Sequence, residues 1–207
     1  MANVNAPFGF ADSHRLGAAV NYQMSRRWIS ASNPVAIFTG DPIVQLSTGY
    51  IAQATTPGAT QIAGIFCGCE YMSVSQKKWI ASPFWPGSDA VVGGTGFDVH
   101  AKVIDDPLTV FRVQTNGYPA AGTLASVIGT IGMNGQYVIG TGNTVTGKSG
   151  SAIDVVTNVP AVTNTFPFRI IDVIRDPPGA NGADITTPYY WYYVTFNNQD
   201  FKSLTGI

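Results

Sequence analysis

Between Phe97 and Gly117 the chain alternates apolar with polar side chains. Val99, Ala101 and Val103 interleave with Asp98, His100 and Lys102, and Phe111 and Val113 interleave with Val110, Arg112 and Gln114. A period of two is that of a half-buried strand. Between the two runs, Asp106-Pro107 predicts a type I turn, because proline presets φ at the second turn position and biases its predecessor to extended backbone. The expectation is a pair of strands, closed by a second turn at Asn116-Gly117. A two-stranded unit is marginal alone, so the rest of the chain must supply a covering sheet.

The same grammar recurs elsewhere. Val35 to Ala54 reads as an apolar run, an Asp41-Pro42 corner, then Ile43, Val44 and Leu46. Gln61 to Met72 is a further strand candidate, with Gly64 and Gly68 marking a bulge or a close backbone approach. Pro83-Phe84-Trp85-Pro86-Gly87 predicts a turn or extended loop, and strands are expected over Phe168–Ile174 and Tyr189–Phe196, joined by the turn-rich DPPGANGADITTP. Asp-Pro corners at Asp41, Asp106 and Asp176 hint at duplication, but their flanks do not align. Gly117 to Gly150, dense in glycine, is either short strands with tight turns or a mobile projecting loop. With 23 glycines, 13 prolines and a single glutamate, Glu70, long helices are disfavoured. The fold class is all-β, an antiparallel barrel or sandwich with few or no long helices.

Residues 1–34 lack either period. Phe8, Phe10, Leu16, Val20 and Tyr22 are scattered among Asn, Pro and Gly, which predicts an extended N-terminal arm ahead of a β-rich domain at 35–207. Such an arm lies along its own domain, a sister subunit or a foreign partner. Phe8 and Phe10 could each bury about 150–250 Å² there, and removal of residues 1–20 is expected to leave the β fold standing.

Charge narrows the function. Charged residues make up 11% of the chain and the net charge is -1, against about 25% charged in an average soluble domain. Scarce charge favours a chain held against partners and argues against nucleic acid, since the basic group Arg15, Arg26 and Arg27 is small. No apolar run reaches the ~20 residues of a membrane span and no secretion signal opens the chain. Cys67 and Cys69, two apart on a predicted strand, would share a face, are too few for zinc, and read as buried thiols.

No constellation for catalysis, cofactor or metal stands out. Gly142-Asn-Thr-Val-Thr-Gly147-Lys148-Ser149 matches the spacing of a phosphate loop, but the following residues are β-branched and end at Pro160 where a helix is needed. Asp105 and Asp106 read as turn chemistry, and His14 and His100 lack metal-ligand spacing, His100 being expected as a solvated imidazole. No G-x-S-x-G elbow is present. Tyr189 to Tyr193 places rings on both faces of one strand, as if covered by core within and by a neighbour without. Trp79, Phe84 and Trp85 are either binding anchors or core.

The opening MANVNAPFGF, the AIFTGDPI segment, the IAGIFCGCEY strand followed by FWPG, the VIDDPLTVFRVQTNG centre and FRIIDVIRDP together resemble head decoration, or cement, proteins of tailed bacteriophages. The likeness is weakest from Tyr118 to Thr165 and after Pro188. It implies a non-enzymatic virion protein, made in the host cytoplasm, that sits on the outer face of the capsid and fastens neighbouring capsomers. The implied partners are the major capsid protein and the chain itself, a trimer being favoured, with no cofactor, nucleic acid or membrane. Expected capsid or subunit contacts are Pro7, Phe8, Phe10, Arg15, Tyr22, Arg26, Arg27, Tyr190 and Tyr192. Two other readings stay open: a tail, receptor-binding or carbohydrate-binding module using Trp79, Trp85 and the Tyr189–Tyr193 cluster, and a phosphate-binding protein using Lys148.

Overall fold

The computed structural model describes residues 2–17, 24–55, 61–92, 98–119 and 122–202. In chain order the strands are β1 (Ala11–Arg15), β2 (Ser25–Ile29), β3 (Ile37–Phe38), β4 (Pro42–Gln45), β5 (Ile51–Gln53), β6 (Gly64–Ser73) and β7 (Lys78–Ser82). There follow β8 (Phe84–Trp85), β9 (Val99–Ile104), β10 (Thr109–Gln114), β11 (Asn134–Val138), β12 (Ala152–Asp154), β13 (Phe168–Val173) and β14 (Trp191–Phe196). A five-residue helix, α1 (Leu124–Ile128), is capped by Thr123.

The strands form an all-β, antiparallel assembly of stacked sheets without a closed barrel. The first sheet has the order β1-β10-β14-β13-β11-β12; the second runs β2-β9-β6-β4-β5, with β7 added beside β6, and β3 and β8 make a two-stranded ribbon. Alternation decides what each face of the second sheet meets. Ile65 and Ile104 turn into the core of the first sheet, with Phe10, Phe111, Phe168, Tyr192 and Phe196. Phe66, Cys69, Val99, Ala101 and Val103 turn the opposite way, into a second core closed by Ile37 and Trp85 of the ribbon.

The expected pairing of the central strands is not what the chain does. The turn forms as read, with the Thr109 amide donating to Asp106 O at 3.0 Å and the Leu108 amide to Asp106 Oδ1 at 3.0 Å. It passes the chain from one sheet to the other, β9 pairing β2 and β6 while β10 pairs β1 and β14. The two consecutive aspartates hold the crossover. Asp105 accepts from Ser25 Oγ at 2.7 Å and from Arg27 Nη2 at 3.1 Å on the edge of the second sheet, and Asp106 meets Arg15 Nε at 2.7 Å on the edge of the first.

The N-terminal arm is also corrected, because residues 11–15 and 25–29 are strands of the two sheets. Residues 2–10 lie on the domain itself: Asn3 Nδ2 donates to Asp184 O at 2.8 Å, the Val4 amide to Asn181 Oδ1 at 2.8 Å and the Ala6 amide to Gln114 Oε1 at 3.0 Å. Phe10 is buried and stacks on Phe168 with ring centroids 4.2 Å apart. Aperiodicity had marked a segment that docks without a ladder, and its dock is its own sheet.

In the glycine-rich stretch, Gly140 and Gly150 serve close packing. A Cβ on Gly140 would stand 2.1 Å from Gly150 O, and the 142–149 turn is fixed to Thr39, whose amide donates to Gly147 O while Ser149 donates its amide back, each at 2.9 Å.

An exposed aromatic face as candidate functional site

On β9, residues 100, 102 and 104 share one face. Ile104 is buried against the first sheet, whereas His100 is half-buried and Lys102 exposed. The first sheet therefore covers only part of this face, and the uncovered part spans four strands. Cross-strand register sets Trp28 beside His100, Arg26 beside Lys102, His100 beside Glu70, and Trp79 beside Met72. The Trp28 ring stands 4.3 Å from the His100 ring at 86°, and Trp79 lies 5.4 Å away on the other side. Trp28 and Trp79 remain 40% and 49% exposed.

Lys102 Nζ meets Glu70 Oε1 at 2.6 Å. Arg26, Glu70, Trp79, Ile80, Ala81 and His100 line a cleft of about 430 Å³. The hydrogen bond and charge of Lys102 hold the Glu70 carboxyl below its ordinary range. Partial burial, helped by the Arg26 charge, pushes the His100 imidazole below its usual value, against Glu70 and Asp98. Near neutral pH the face thus presents a neutral imidazole, a carboxylate, an ammonium and a guanidinium between two indoles. Chemically, such a set is suited to stacking and hydrogen bonding.

Of the contact residues expected from sequence, Arg26 alone among the described residues lies on this face. Arg27 turns away to Asp105 and to Gln45 Oε1 at 3.0 Å, and Arg15 is spent on Asp106. Pro7 and Phe8 are half-buried, Phe8 packing edge-on against Trp191 at 5.1 Å. Tyr22 falls outside the described residues. Tyr190 and Tyr192 are corrected outright: both are fully buried, their hydroxyls 3.0 Å apart, with Thr130 Oγ1 2.6 Å from Tyr192. Trp191 and Tyr193 point the other way and are half-buried, packed edge-on against the chain's own Phe8 and His14. Trp85 is also core, its Nε1 donating to Asn33 O at 3.1 Å.

Sequence reading missed Trp28 and the placement of His100 between two indoles. Arg26 and Trp28 alternate with half-buried Arg27 and buried Ile29, a five-residue signal too short to stand out from the aperiodic residues around it. The phosphate-loop match dissolves locally. Asn143 Oδ1 accepts from the Val145 and Thr146 amides, Ser149 Oγ donates to Asp41, and the segment runs into β12. Cys67 and Cys69 are free thiols, and burial pushes them to about 11 and about 12. Among the described residues no three His, Cys, Asp or Glu gather in a metal-ligand arrangement, and no helix is long and apolar enough to cross a membrane. Comparisons with protein-family models, with curated proteins and with solved structures gave no match, so function has to be read from the exposed face itself.

Proposed function

We propose that the chain is a non-enzymatic virion protein of a tailed phage that binds the outer face of the capsid shell, stabilises contacts between capsomers and assembles with copies of itself. One observation carries the reading: a chain with 11% charged residues leaves two half-exposed indoles, Trp28 and Trp79, on an open sheet face ringed by Arg26, Lys102 and Glu70. Aromatic anchors with a polar rim are the composition of a protein-binding surface. The clamp is the face, since residues 2–10 are engaged at home.

Purified protein is expected to co-sediment with expanded empty shells of the phage that encodes it and to raise their disruption temperature. The variants Trp28→Ala and Trp79→Ala should keep the melting temperature of the free protein and each lose about 10-fold or more in shell affinity, the scale of a hot-spot aromatic. Wild-type protein that leaves shells untouched refutes the proposal.

The indoles also favour a second reading, a carbohydrate-binding module, with Trp79 as the stacking platform and Arg26, Glu70 and His100 as hydroxyl partners. Saturable binding on a glycan array, lost in Trp79→Ala, would select it.

A further inference from the structure

A second concavity, of about 240 Å³, lies on the first sheet where the N-terminal segment crosses it. Phe8, Phe10, Thr39, Arg112, Lys148 and Trp191 contribute to its walls, and none of the residues lining it is acidic. Arg112 is exposed on β10, yet its guanidinium carbon lies 4.9 Å from the Trp191 ring and 5.4 Å from the Phe8 ring. Two aromatic rings thus hold the guanidinium in place while its N–H edges have no carboxylate. Lys148 reaches the same notch from the 142–149 turn, and that turn is pinned to Thr39 through a parallel bridge. Among the described residues neither Arg112 nor Lys148 has a salt-bridge partner, whereas Arg15, Arg27, Lys102 and Arg175 each have one.

We infer that this notch seats an acidic side chain, flanked by an apolar residue, from a peptide segment of the shell subunit. A guanidinium stacked between two rings and an exposed lysine lining the same small space attract an anion, and a guanidinium positioned by stacking offers a carboxylate a paired-donor edge. The apolar rings beside it accept the neighbouring side chain. Size selects the occupant. Small-molecule and cofactor sites run from about 300 to 1,000 Å³, so 240 Å³ holds one or two side chains and is too small for a nucleotide. Lys148, set at the spacing of a phosphate loop, is on this account one half of a carboxylate clasp whose other half, Arg112, comes from the first sheet.

The inference rests on the shell-binding reading, and one titration separates their failures. Co-sedimentation with expanded shells is measured for wild type, Arg112→Ala, Lys148→Ala, the double variant and Trp79→Ala, with melting temperature as the folding control. Each notch variant is expected to lose about 5- to 10-fold in affinity and the double variant about 30-fold, the scale of charge-assisted contacts. Arg112→Lys should fail to restore wild-type affinity, because an ammonium offers no planar fork. If the double variant binds like wild type while Trp79→Ala does not, the notch is overturned and the function stands. If wild type does not bind, both fall. A saturable, sub-millimolar shift of the Trp191 indole resonance with inorganic phosphate or ATP would reassign the notch to a free anion and overturn the peptide occupant.

Discussion

Cys67 and Cys69 stand two residues apart on one strand and face different cores. Gly68, at φ +105°, sits where the register between β6 and β9 shifts, so the chain gains a residue between Phe66 and Cys69 and the alternation changes phase. Cys67 packs toward the first core and Cys69 enters the second. The same phase change brings Glu70 and Met72 to the open face.

Replacing Gly68 tests this bulge. A side chain at that φ is strained by about 1–2 kcal/mol, and a Cβ would stand 3.0 Å from Ser82 O. Gly68→Ala is expected to lower urea-denaturation stability by about 2 kcal/mol and to disturb the Glu70–Lys102 pair downstream. Unchanged stability would mean that the bulge is not needed.

The thiols follow from the same geometry. With Cys67 pushed to about 11 by burial and Cys69 to about 12 by burial, the thiolate fraction at pH 8 falls by roughly a hundred-fold or more relative to an exposed cysteine. Iodoacetamide labelling of the native protein, read by mass spectrometry, should be correspondingly slow at both sites, with no bridge between them under mild oxidation. Rapid labelling of Cys69 would contradict its placement.

The leader is part of the fold. Phe10 is fully buried, so Phe10→Ala is expected to cost about 3–5 kcal/mol, and Phe8→Ala, at a half-buried site, about 1–2 kcal/mol. Deleting residues 1–16 removes β1 as well and should abolish the cooperative transition or shift it by tens of degrees. Retention of the wild-type melt after deletion would restore the loose arm.

Asp41 is a buried carboxylate with four donors: Phe38 N at 2.8 Å, Gln53 Nε2 at 2.7 Å, Ser151 Oγ at 2.8 Å and Ser149 Oγ. Asp41→Ala leaves those donors without an acceptor and is expected to cost about 3 kcal/mol or more, whereas Ser149→Ala removes one donor and costs about 1 kcal/mol. Chemical denaturation of both variants checks the order.

His100 supplies a pH dependence. Its folded pKa is lowered by partial burial and by Arg26, so below about 6.5, its ordinary value, the unfolded chain takes up the proton first. The contribution to stability is complete above that pH and is lost as pH falls through the lowered folded value. An imidazole titration by NMR should place the midpoint below 6.5, and Arg26→Ala should move it upward. A midpoint at or above 6.5 would mean that burial and Arg26 do not outweigh Glu70 and Asp98 at this imidazole.

The strand runs, the Asp106 turn and the Gly64 and Gly68 irregularities were legible because each depends on local preferences: period two, proline φ and the freedom of glycine. The same reading marked Gly68 as a bulge candidate yet placed Cys67 and Cys69 on one face, since whether a bulge forms depends on the neighbouring strand. The Phe8–Phe10 segment was legible as apolar and aperiodic, though its dock was not.

Composition and periodicity by themselves determined that this is an all-β chain rich in turns and poor in charge. Tertiary structure decided which strands pair, which tyrosines are core and which tryptophans are open. Alternation says that a strand has one apolar face, and every β-strand offers the same backbone donors and acceptors to any partner. Only side-chain packing between segments distant in sequence selects β14 for β10, buries Tyr192, and leaves Trp28 and Trp79 uncovered where the first sheet ends.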